Sequence, residues 1–143
     1  MNEMRNWECG MRNEKTSAQT TTVMGDPDLK RRTKRFALDV IKFVESLPKD
    51  ETCRVIGRQL LRASTSVGAN YRAACRAKSN AHFIPKMGTV EEEADESSYW
   101  LELLLDDGKV TEVKAGPLLR EANELLAITV SSINTARKSG GRP

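Results

Sequence analysis

Residues 83–104 read FIPKMGTVEEEADESSYWLELL, and the spacing within this stretch decides the fold. Phe83, Met87, Val90, Ala94, Ser97, Leu101 and Leu104 recur in an unbroken alternation of four and three. At about 3.6 residues per turn this rhythm keeps all seven on one side of an α-helix, whereas a half-buried strand would repeat every two. Asp107-Gly108 closes the segment, glycine being the residue that most easily takes the left-handed conformation found past helix ends.

The same period extends on both sides. Phe36, Val40, Phe43, Val44 and Leu47 predict a first helix from Leu29 to Leu47, opened by Asp26-Pro27 and ended by Pro48. A second predicted helix runs from near Asp50 to about Lys78 on Cys53, Ile56, Leu60, Ser64, Val67, Tyr71 and Ala74. Gly57, Ser64 and Gly68 lie on or beside its apolar face, where small side chains let a partner helix come close, at about 1 kcal/mol of helix propensity per glycine. Pro85 disturbs the start of the third helix, which is expected to begin near Ile84 or to kink there. After a link containing Gly116-Pro117, a fourth helix is expected with Leu119, Ala122, Leu126, Val130 and Ile133 on its inner face, fraying at Ser139. Four amphipathic helices with short links predict an all-α, antiparallel up-down-up-down four-helix bundle over residues 29–138. Residues 1–28 have no apolar period and are expected to form a disordered extension, with 139–143 a flexible tail.

Composition agrees with one helical domain. The 143 residues are 38% hydrophobic, 30% charged and only 5% aromatic, and no β-branched run alternates with polar residues over a strand's length. Mean hydropathy is -0.53, and no apolar run nears the roughly 20 residues that cross a bilayer. Without a signal-peptide pattern the chain is expected in the cytoplasm, with no membrane partner. Cys9, Cys53 and Cys75 form no CxxC pair, which fits reduced thiols better than a disulfide framework or a zinc site.

The net charge of +3 hides a partition among the helices. Residues 29–48 carry +4, 49–78 carry +5 and 79–107 carry -7. At about 100° per residue Arg54, Arg58 and Arg62 form an inclined row, and Arg72 and Arg76 return to the same azimuths, opposite the apolar face. One reading of this stripe is a surface that tracks phosphates, reinforced by Lys30, Arg31, Arg32, Lys34 and Arg35; the other is a solvated face paired with the acidic helix that follows.

Catalytic chemistry finds little purchase. Glu91-Glu92-Glu93 with Asp95-Glu96 lacks the Glu-x-x-His motif of carboxylate-bridged metal bundles, and His82 has no matched nucleophile or acid beside it. Neither a metal nor another cofactor is expected, and the chain is read as a non-enzyme. Tyr99 and Leu103 point away from the inner face of the third helix and Trp100 lies well off its centre, so these three are the expected interface for another subunit.

The segments QLLRASTSVGANYRAACRAKS (Gln59–Ser79) and Phe83–Leu104 resemble the four-helix bundle proteins of the 23S rRNA intervening sequence family. The most specific part is Arg62-Ala63-Ser64-x-Ser66-Val67-x-Ala69-Asn70, followed by Glu93–Ser97 and Tyr99–Leu104, and the resemblance spans about Leu29 to Lys138. It implies a small antiparallel bundle that assembles into a ring-like homopentamer with no established activity. A related branch, the accessory proteins of diversity-generating retroelements, implies a basic RNA- or DNA-binding surface at the matching Arg58, Arg62, Arg72 and Arg76. The 28-residue leader, and His82 with Pro85, depart from the family pattern. Two functions follow as expectations: a homo-oligomeric nucleic-acid-binding accessory, or a structural and protein-interaction module without such affinity.

Overall fold

The computed structural model describes residues 29–140, and the expected extension over 1–28 and the final residues 141–143 lie outside this range. Four helices follow one another: α1 (Leu29–Glu45), α2 (Glu51–Cys75), α3 (Asn80–Asp106) and α4 (Glu112–Gly140). Each packs on the next, and α1 closes the ring against α4. The directions alternate. Gly57 of α2 lies against Val44 and Leu47 at the end of α1 while Gly68 lies against Thr33 near its start. Arg62 of α2 reaches Glu93 and Glu96 of α3, and Lys109, just past α3, reaches Asp50, just before α2. Asn80 and Ser98 of α3 bond Ala136 and Asn123 of α4.

Helix boundaries follow from capping. The Asp50 carboxylate accepts the Cys53 N–H at 2.8 Å and opens α2. The Thr111 hydroxyl accepts the Lys114 N–H at 3.3 Å before α4. At the end of α3, Lys109 N–H bonds the Leu104 carbonyl and Gly108 N–H bonds the Leu105 carbonyl, with Gly108 at φ 74°, the paired arrangement that glycine makes possible.

The core is the stripe read from the sequence in α1, α2 and α3. Phe36, Val40, Leu60, Val67, Phe83, Met87, Val90, Leu101 and Leu104 are all buried. Two expectations need correction. Pro85 neither delays α3 nor marks its start: the helix begins at Asn80 and carries Pro85 as its sixth residue. Pro117 likewise is the sixth residue of α4, which starts at Glu112 and is not preceded by a Gly116-Pro117 link. Each proline withholds one N–H from the carbonyl four residues back, at Ala81 and Val113, and both of those residues are exposed, so water can supply the missing donor.

The second correction is the phase of α4. Ala122 and Ile133 are buried as expected, but beside them the interior takes Leu118, Leu125, Thr129, Ser132 and Ala136, while Leu119 and Leu126 are half-buried and Val130 is exposed. Thr129 fits inside because its hydroxyl donates to the Leu125 carbonyl at 2.8 Å, leaving its methyl to pack. The helix also continues through Gly140, past Ser139 where fraying is expected, with the Asn80 amide donating to the Ala136 carbonyl in the last turns.

Candidate nucleic-acid interface

The alternating directions put the start of α1, the end of α2, the start of α3 and the end of α4 in the same half of the bundle. The corresponding sequence, residues 29–38, 66–90 and 125–140, contains eleven lysines and arginines and no aspartate or glutamate. The other half, residues 39–65 and 91–124, carries fifteen carboxylates against eight basic groups. The charge is therefore divided along the bundle axis, a division that counting helix by helix conceals.

The five arginines of the predicted stripe fall on both sides of this boundary. Arg54 is paired with Glu51 one turn away at 2.5 Å. Arg62 is held by Glu96 and, at 3.3 Å, by Glu93, so the acidic helix occupies it. Arg58 is exposed, beside Lys49 and Arg54. Arg72 and Arg76 belong to the acid-free half, and neither has a carboxylate partner among the described residues. By helix rise, Arg62 and Arg72 stand about 15 Å apart along α2, so the row is two clusters and not one continuous track.

Two open hollows of the acid-free half flank α2. One, of about 540 Å³, lies between α1 and α2 and is walled by Lys30, Arg31, Lys34 and Arg72 over a floor that includes Thr33 and Gly68. The other, of about 520 Å³, lies between α2 and α3 and is walled by Arg76, Lys78, His82 and Lys86 beside Pro85. The Ser79 hydroxyl sits 3.1 Å from His82 Nδ1 and fixes the ring at the rim. Arg32 is turned away from this surface. Its guanidinium donates two bonds to Glu121, at 3.0 and 2.8 Å, and one to Glu124 at 2.8 Å. Hydrogen bonding to Glu121 first, and to Glu124 after it, raises its pKa further above the ordinary arginine value, and the pair latches α1 to α4.

The other predicted residues sit on the acidic half. Tyr99 is 52% exposed, Leu103 is half-buried, and Trp100 packs against the core with its indole N–H donating to Glu96 at 3.0 Å. Tyr99 meets Trp100 edge to face, centroids 5.1 Å apart. Cys53 and Cys75 are buried, and burial pushes the Cys53 thiol up, away from thiolate chemistry. Among the described residues no group of three His, Cys, Asp or Glu side chains is placed to hold a metal, and no helix is long and apolar enough to cross a membrane.

The described residues form a four-helix antiparallel bundle whose basic and acidic side chains are segregated along its axis. The chain belongs to the 23S rRNA-intervening sequence protein family, whose model matches residues 26–131. It is similar to a crystal structure of a protein of unknown function of the S23 ribosomal protein family from Bacteroides thetaiotaomicron, with 31% identity and a TM-score of 0.68. That match covers 73% of this chain and 97% of the other. Among curated proteins none matches.

Proposed function

We propose that this protein is a non-enzymatic, homo-oligomeric bundle that binds RNA or DNA through the phosphates, using the acid-free half as its contact surface. The observation that carries this reading is the set of eleven cationic residues without a carboxylate among them, gathered from three separate stretches of sequence by the antiparallel packing. Lys30, Lys34, Arg72, Arg76, Lys78 and Lys86 have no acidic partner among the described residues, so their field is open to an outside anion. Arg72 and Arg76 remain in the proposed site, Arg58 lies outside it beside Lys49 and Arg54, and Arg54 and Arg62 serve the bundle itself. Tyr99 and Leu103, with Trp100 as the inner wall, form the proposed subunit contact on the opposite half, leaving the basic half clear. The reading also places the protein in the cytoplasm, where its polyanionic partners are found.

Fluorescence anisotropy with a short structured RNA tests it. Six to ten phosphate contacts predict a loss of roughly 10³–10⁵ in affinity between about 50 and 200 mM salt. Absence of binding at the lower salt overturns the reading and favours the interaction module, which the pairing of Arg62 with Glu93 and Glu96 supports on its own account.

A further inference from the structure

The two hollows lie on opposite slopes of one helix. In the ring of four, α1 and α3 both pack on α2, which places the C-terminal half of α2 at a corner between them. The α1 slope carries Lys30 and Lys34, and the α3 slope carries Lys86 and the turn residue Lys78. The crest between them carries Arg72 and Arg76 among Thr65, Ala69 and Ala73. It is a convex edge about 10–12 Å wide, the diameter of a helix with its side chains, with positive charge on both sides.

We propose that this corner straddles one groove of a nucleic-acid duplex, the α1 slope facing one phosphate row and the α3 slope the other, and does not serve a single strand. The inference rests on the nucleic-acid reading above and specifies its ligand. A duplex groove is concave with anionic walls; the major groove of the B form, about 12 Å wide, admits a helix, and the minor groove of the A form is wide and shallow. A lone strand offers one phosphate row and unstacked bases, and proteins that hold it supply aromatic platforms. Here the aromatics of the basic half, Phe36, Tyr71 and Phe83, are buried, and the exposed Tyr99 belongs to the acidic half.

Anisotropy titrations of the full chain at about 50 mM salt should compare a DNA duplex of two helical turns, the matching RNA duplex and each separated strand. A duplex of either kind should bind about tenfold more tightly than its strands; a preference for DNA indicates the major groove, and for RNA the shallow minor groove. Lys34→Glu and Lys86→Glu should each weaken duplex binding and lower the salt slope by about one, while Lys114→Glu in the acidic half leaves both unchanged. All three positions are exposed, and unchanged melting curves check the fold. Strands that bind as tightly as duplex, or an effect on one slope alone, overturn the straddled groove while leaving phosphate binding intact. Absence of binding to every probe overturns both readings.

Discussion

Replacing three helical glycines by alanine, one at a time, measures how closely α1 and α2 approach. In a helix interior the change to alanine is worth about 1 kcal/mol in favour of the fold, whatever the site. Surroundings then decide the sign. At Gly88 of α3 a new Cβ meets nothing within 4 Å, so Gly88→Ala should stabilise by the full propensity term, raising the melting temperature by about 3–5 °C for a domain of this size. At Gly57 the same atom lies 3.2 Å from Leu47 Cδ1 and 3.3 Å from Val44 Cγ1, at the end of α1 and the turn that follows it. At Gly68 it lies 3.3 Å from Thr33 Oγ1 and 3.5 Å from the Thr33 carbonyl carbon, with that hydroxyl already tied to the Lys30 carbonyl. Overpacking of a tight contact costs typically about 1–3 kcal/mol, enough to cancel or exceed the propensity gain. Gly57→Ala and Gly68→Ala should therefore each fall at least about 1 kcal/mol below Gly88→Ala in urea unfolding. Equal stabilisation by all three would refute close helix contact as the reason for glycine at 57 and 68.

Leu101→Ala, at a fully buried site, should cost about 2–5 kcal/mol in the same unfolding assay. The Asp50 carboxyl is held below the usual carboxylate range, first by the Cys53 N–H and then by Lys109. The stabilisation it gives is complete above the unfolded value of about 3.9 and is lost as pH falls through the lower folded value, so Asp50→Asn should flatten the acid limb of the stability profile. The proposed oligomer should become a monomer on Tyr99→Glu with Leu103→Glu in size exclusion with light scattering; a monomeric parent protein, or an assembly that survives both changes, refutes the proposed contact. Pro85→Ala should raise the melting temperature, since it restores an N–H opposite the Ala81 carbonyl; a lower one would show that Pro85 is needed for packing.

The inner faces of α1, α2 and α3 are legible because each is written in large apolar residues at helical spacing. In α4 the largest residues mislead. Leu119, Leu126 and Val130 line up on the sequence with Ala122 and Ile133, yet beside those two the interior takes Thr129 and Ser132, whose small volumes suit close packing and whose hydroxyl bonding stays within the helix for Thr129. The prolines mislead for a related reason: a missing donor matters little where the orphaned carbonyl is exposed. As for the site, Arg54 through Arg76 share an azimuth, which periodicity reveals, but axial position relative to Glu93 and Glu96 separates them, and this depends on how α2 and α3 are juxtaposed. The signal for the basic half is present in the sequence as three long stretches without Asp or Glu. It becomes visible only when those stretches are stacked by the fold.

The axial division of charge also changes what net charge means for this molecule. A helix of the length of α3 measures about 40 Å, several times the roughly 8 Å over which physiological salt screens one charge from another. The halves thus act on their surroundings separately, and the +3 of the whole chain describes neither. On a chromatography column the protein should be retained by cation and anion exchangers alike at low ionic strength, oriented with opposite poles toward the two resins.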